Sequence, residues 1–293
     1  MAGSTPRTRD WTPPWPLDIG ATVGVHRRGG GDPAFRVDAG GAITRASHTP
    51  DGPGTLRITA SSGVVTGTAW GPGGVWMLDQ LPDLLGAQDD PSLVPSGNPI
   101  VDDLVRRSRG FRIGRSDRVW EALAASILEQ KVVGAEAWRA WRYLVRRFGE
   151  PAPGVDGLWV PPPRAVWADI PNWDWHRSGA EPVRMRTIRG ASSVDVERHA
   201  DRLTVLRGVG PWTEAEVRAR AVGDPDAVPV GDFHIPNVVG HALIGERIDD
   251  ARMLELLEPF AGQRGRVIRL IERYGPRPQR RGHRMSVRDY RGI

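Results

Sequence analysis

Cysteine is absent from the 293-residue chain. That excludes disulfides, thiol nucleophiles, cysteine-ligated zinc and iron–sulfur clusters. Lysine is nearly absent as well: Lys131 is the single lysine among 40 basic residues. Chemistry that needs a side-chain amine therefore has one candidate. Apolar runs are short, none approaching the ~18 residues of a membrane span, so no membrane association is expected. The stretch Met1–Asp10 has no apolar core of the secretory type, and a cytoplasmic location is the expectation. What the chain does have is a net charge of +5, compatible with a nucleic-acid partner, and enough length for two domains.

The hydrophobic pattern divides the chain. Residues 1–20, rich in Pro and Trp (Trp11, Pro13, Pro14, Trp15, Pro16), read as an irregular lead-in. Residues 21–99 read as a small antiparallel sheet domain and linker. Alternating runs at Thr22–His26, Ala34–Val37, Thr55–Thr59 and Val64–Trp70 are parted by Gly, Pro and Asp turns, and a short helix is expected at Val75–Leu85. Residues 100–275 read as helical. Ser116 or Asp117 can cap a helix whose apolar face is Trp120, Leu123, Ile127 and Leu128. Trp138, Trp141, Val145 and Phe148 mark the core face of the next, which stops at Gly149. Ser192-x-x-Asp195 looks like the capped start of a helix running to about Val205, and further helices are expected at 235–244, 250–258 and 264–273. The arginine-rich tail, 276–293, is expected to be disordered.

The segment Leu206-Arg207-Gly208-Val209-Gly210-Pro211-Trp212-Thr213 is the most informative. Gly208 and Gly210 permit a tight turn with positive φ and the close approach of another backbone. Pro211 suits the first position of a helix, where no amide bond is lost. A helix start with unpaired amides attracts anions, and on DNA the anion is a phosphate, contacted without regard to sequence. The same pattern also describes an ordinary helix–helix corner. Asp232, in Val228-Pro229-Val230-Gly231-Asp232-Phe233-His234, reads either as the cap of the 235–244 helix or as a reacting carboxylate.

The segment 206–213 resembles the hairpin of the helix-hairpin-helix DNA glycosylases, with Arg207 and Glu214 where that superfamily has proline and alanine. The resemblance is nearest to the bacterial 3-methyladenine DNA glycosylase II type, carried also by Ile127-Leu128-Glu129-Gln130-Lys131-Val132. It implies an α+β fold, a mainly α-helical helix-hairpin-helix core preceded by a smaller antiparallel sheet domain. It also implies that Asp232, 22 residues beyond Gly210, is the catalytic carboxylate. Trp212 and Phe233 would line the base pocket, Gly208, Val209, Gly210 and Thr213 would hold DNA, and Gln130 and Lys131 would mark the wedge that fills the gap left by a flipped base. Glu216 stands where the branch can show an aromatic, a departure that bears on substrate range. The backbone of Thr204, Leu206 and Val209 would be the place for a sodium or potassium ion; no other cofactor is implied.

Members of the superfamily that also nick the backbone carry a lysine two residues after the second hairpin glycine; here that residue is Trp212. The implied enzyme is a monofunctional, monomeric glycosylase acting on damaged bases in duplex DNA, N-alkylated purines above all. The sequence leaves two other readings open. One is a protein that binds damaged DNA without cleaving it. The other is the same chemistry on oxidised guanine or uracil.

Overall fold

The computed structural model describes residues 5–277 and residue 289, so the disorder expected of the tail falls outside the described residues from 278 onward, residue 289 apart. The first part is a five-stranded antiparallel sheet. Its strands are β1 (Arg7–Trp11), β2 (Phe35–Val37), β3 (Ile43–Thr49), β4 (Gly52–Ser61) and β5 (Val64–Trp70), in the order β1-β5-β4-β3-β2. Ser62 and Gly63, both at positive φ, make the two-residue turn that joins β4 to β5. Along β5, Val65, Gly67 and Ala69 face inward under helices α2 (Gly74–Asp79) and α3 (Leu81–Leu84). A side chain at Gly67 would stand 2.8 Å from the Leu81 methyl, so the glycine is what lets the helices lie on the sheet.

Two N-terminal expectations are corrected. Residues 7–11 are an edge strand, not irregular lead-in: Trp11 pairs with Val65, and the Thr66 hydroxyl donates to Asp10 at 2.6 Å. The free edge of β5 recruits this segment through its backbone, which a side-chain pattern does not report. Thr22–His26 is not a strand. Asp18 accepts from Ala21 N (2.8 Å) and starts helix α1 (Ile19–Val23), followed by a 3-10 turn, Gly24–His26. The cap outweighs the strand preference of Thr22, Val23 and Val25.

The helical part has two cores. The first gathers α5 (Val119–Glu129), α6 (Gly134–Phe148), α7 (Arg164–Asp169), α8 (Asn172–Ser178) and α9 (Pro182–Ser192) around Trp120, Trp141, Trp167 and Trp175. Helix α4 (Pro99–Arg107) precedes them in the chain but packs in the second core, with α11 (Ile235–Ile244), α12 (Asp250–Leu257) and α13 (Arg264–Tyr274) around Leu104, Val239, Met253 and Ile271. Helix α10 (Pro211–Val217) runs on as a π-helical stretch, Arg218–Val222, at the edge of the first core. The architecture is thus α+β, mainly helical, with the sheet first. Among the described residues no helix is long and apolar enough to cross a membrane.

The chain between α9 and α10 departs from expectation. Ser192 ends a helix that begins with Pro182, and Asp195 supports only a turn by accepting from Glu197 N (3.3 Å). This polar stretch buries only Val196 and Ala200, too little to hold a helix. Its Glu197 instead accepts from Val119 N (2.8 Å) and Trp120 N (3.4 Å), capping α5 from a distant part of the chain. The cap expected of Ser116 or Asp117 is therefore supplied by tertiary structure.

Buried ion pairs fasten the sheet to α5. Arg45 of β3 donates to Glu121 at 2.8 Å, joined by the Ser47 hydroxyl, and Arg28 pairs with Glu129 at 3.1 Å. Burial alone would raise the Glu121 carboxyl, but the Arg45 guanidinium and the Ser47 hydroxyl bring it below its ordinary value. A depressed carboxyl adds stability above its unfolded-state pKa, and that stability is lost as pH falls through the folded-state value. Glu121→Ala strands the Arg45 charge and should cost about 3–5 kcal/mol in urea unfolding. The wild type should lose part of this margin in acid, and the variant should not.

Candidate active site at the helical hairpin

The hairpin leaves a 3-10 turn at Leu203–Val205 and enters α10 at Pro211. Gly208 sits at φ +88, and a Cβ there would meet the Thr187 hydroxyl of α9 at 2.3 Å. Gly210 does not share this conformation: its φ of −108 and ψ of −179 are extended backbone, and nothing stands within 4 Å of its would-be Cβ. The expected positive φ therefore belongs to Gly208 alone, and Gly210 instead leaves open space where α10 begins. No side chain caps that helix start. Val209 is buried in the first core and anchors the turn, while Val205 and Arg207 are exposed. Glu214 reaches back to accept from Thr204 N (3.0 Å), bracing the hairpin from the position where the resemblance has alanine.

Gln130 locks the end of α5 to this turn. Its amide donates to Gly208 O and to the hydroxyl of buried Thr213, each at 2.9 Å. Its own carbonyl accepts two bonds from Arg184 of α9, at 3.0 and 2.6 Å. Gln130 is thus engaged in structure. The next residue, Lys131, is exposed and held at φ +52, a left-handed conformation that turns the chain sharply out of α5.

Asp232 combines both of its sequence readings. Oδ1 accepts from His234 N (2.7 Å) and Ile235 N (3.0 Å), which caps α11. Oδ2 accepts from the indole N–H of Trp212 at 2.9 Å. Three N–H donors from two elements therefore fix the orientation of one half-buried carboxylate beside the hairpin. Gly231 N donates to Asp250 (3.1 Å) and steadies the loop. Phe233 does not close a pocket with Trp212: it is 76 % exposed, and its ring lies edge-on to His234 at 5.0 Å.

Near this carboxylate lies a set of charges of which the sequence singled out only Glu216. Glu216 is buried and ion-paired with Arg220 one turn on. Burial would raise the Glu216 carboxyl, but Arg220, Arg269 and Arg28 outweigh it and hold the group below its ordinary value. Burial lowers His26 well below the usual imidazole range, with Arg45, Arg28, Arg220 and Arg269 adding to it, so this imidazole is neutral; its Nε2 is buried without a partner. Burial raises Glu272 of α13, and the Glu216 and Asp232 carboxylates add to that against the opposing Arg269 and Arg220. The Glu272 side chain is nonetheless exposed to solvent. Arg269 and Glu272 are spaced i, i+3 on α13, a pattern indistinguishable in sequence from a solvated helix pair.

A cavity of about 190 Å³ lined by Arg118, Trp120, Trp167 and Glu197 lies at the opposite end of α5 from Gln130. It takes no part in the arrangement around Asp232.

The fold is that of the helix-hairpin-helix DNA glycosylases. Among solved structures, the 3-methyladenine DNA glycosylase of Archaeoglobus fulgidus superposes with a TM-score of 0.74 at 17% identity, covering 90% of this chain and 97% of that one. The 8-oxoguanine glycosylase/lyase of Clostridium acetobutylicum, in its apo form, gives 0.70 at 12% identity, covering 94% and 100%. In sequence, the chain is 28% identical over 210 residues to the "Probable bifunctional transcriptional activator/DNA repair enzyme AlkA" of Mycobacterium tuberculosis. That match spans 61% of this chain and 41% of that protein, so the chain covers less than half the relative's length. No family model matches the chain.

The two hairpin glycines should respond differently to a methyl group. Gly208→Ala meets both the φ penalty and Thr187, and should lose about 1–3 kcal/mol in chemical unfolding. Gly210→Ala should stay within about 0.5 kcal/mol of wild type.

Proposed function

We propose that the chain is a monofunctional DNA N-glycosylase that extrudes damaged bases from duplex DNA, N-alkylated purines among them, and hydrolyses the N-glycosidic bond. The observation that carries this reading is the Asp232 carboxylate, held by the Trp212 indole and the α11 amides at the edge of the hairpin. Breaking the C1′–N bond builds positive charge on the sugar. A fixed carboxylate facing that charge stabilises the transition state more than the ground state. Water then adds to C1′. Duplex phosphates would meet the uncapped start of α10 at Gly210, and the net charge of +5 favours the approach. In this reading Lys131, exposed and next to the engaged Gln130, would enter the gap left by the base. Phe233 offers an exposed aromatic face at the mouth of the site. The protein acts as a monomer in this reading.

A monovalent cation suits the carbonyls of Thr204, Leu206 and Val209, which are neutral oxygen donors. The Leu206 oxygen accepts one bond from Val209 N (3.0 Å) and keeps a second lone pair. Such an ion would clamp the turn, and no step of the reaction uses it.

The test is base release from methylated duplex DNA. Asp232→Asn retains an oxygen that can accept from His234 N and Ile235 N, so the fold should survive by circular dichroism while release falls about 100-fold or more. Retained release would remove Asp232 from the chemistry. Lyase action needs an amine, and the position that bears it in nicking relatives is Trp212. The product should therefore be an intact abasic strand, and borohydride should trap no covalent complex.

A further inference from the structure

The cavity at the start of α5 has a volume of about 190 Å³. In a protein interior ~150 Å³ suffices for one benzene ring. Its walls are made of rings. Trp141 and Trp167 are stacked on each other, centres 6.2 Å apart and planes 23° apart; Trp120 adds a third indole, and Pro161, Pro162 and Pro163 add saturated rings. The indoles are buried, whereas His48, Arg164 and Glu197 keep contact with solvent and give the lining a polar side. Donors are left over in this lining. The Trp141 indole N–H goes to Asp32 and that of Trp167 to Pro162 O, but the Trp120 indole N–H and the Arg118 Nε–H are buried without an acceptor. The two glutamates of the lining are already matched, Glu121 by Arg45 and Glu197 by Arg118, each at 2.8 Å. Arg164 is not matched: it donates to Ser192 O at 2.8 Å, and among the described residues no carboxylate pairs with it.

We infer that this cavity is a second ligand site, remote from Asp232, and that it takes a small aromatic acid: a single planar ring bearing a carboxylate. Three features select that class. The volume admits one ring. Indole and proline faces favour a flat guest, which they can cover on both sides, over a branched one. The unmatched guanidinium of Arg164 and the leftover N–H donors call for a guest that brings negative charge and acceptors. A cation is disfavoured, because both glutamates are engaged and Arg164 opposes it. The site lies where Glu197, from the irregular stretch between α9 and α10, caps α5. An occupant therefore touches that stretch, the start of α5 and the proline run that leads into α7. A ligand that binds only the folded chain stabilises it, so occupancy is read as stability and does not depend on what Asp232 does.

The probe is benzoate, titrated into the full chain and followed by tryptophan fluorescence and by the midpoint of thermal unfolding. Benzoate should bind saturably and raise the midpoint. Benzamide, which keeps the ring and loses the charge, and acetate, which keeps the charge and loses the ring, should each bind about 10-fold or more weakly. Arg164→Gln should weaken benzoate about 10-fold and leave benzamide unchanged, while Asp232→Asn should bind benzoate as the wild type does. Ala124→Leu, which enlarges a side chain of the lining, should abolish binding of both ring compounds; if that variant does not fold, Arg164→Gln carries the test. No saturable binding of benzoate would make the cavity a packing void and overturn the proposal. So would benzamide binding as tightly as benzoate, or an Arg164→Gln chain that binds benzoate undiminished.

Discussion

The bond from the Trp212 indole to Asp232 joins the two helical cores beside the hairpin. Trp212 arrives on a helix packed in the first core, and Asp232 caps a helix of the second. Neither core positions the carboxylate alone. Cap and indole together hold the side chain without strain, because each oxygen meets donors that it would seek in any protein. The supporting parts serve that junction: Gln130 fixes the hairpin to α5, Arg184 fixes Gln130 to α9, and Glu214 fixes the turn to α10.

The sheet contributes more than a platform. Buried Arg45 of β3 and buried Arg28 of the loop leading into β2 pair with glutamates at the two ends of α5. The helix that presents Gln130 and Lys131 is thus referenced to the sheet at one end and to the hairpin at the other. Buried ion pairs add little net stability but tolerate few alternative arrangements, since any misplacement leaves a charge unpaired. Here that intolerance sets the distance between the N-terminal segment carrying His26 and Arg28 and the charges around Glu216.

Much of this was legible in the sequence. Periodicity found the core face of α5, that of α6 apart from Trp138, which lies against Gly29 and Gly134 instead, and the helices at 235–244, 250–258 and 264–273, because those segments bury regular stripes. The hairpin and the 228–234 loop drew attention to Gly208 and Asp232 through the resemblance they carry together, because a two-glycine turn and an Asp before a helix, each taken alone, also describe an ordinary corner and an ordinary cap. What stayed hidden depends on partners far along the chain. The strand at 7–11 exists because β5 has a free edge, the irregular path of 193–202 follows the demand of α5 for Glu197, and Gly210 differs from Gly208 because only one of them faces Thr187.

The cap of α5 has a consequence for the order in which the chain acquires structure. The carboxylate that satisfies the first amides of this helix lies 78 residues downstream of Val119. During synthesis, α5, α6 and their tryptophans emerge well before Glu197 does. The helix at the centre of the molecule therefore waits, with its leading amides unsatisfied, for a segment that has almost no helical character of its own. Closure of the first core and completion of its central helix become one cooperative event, timed by a loop.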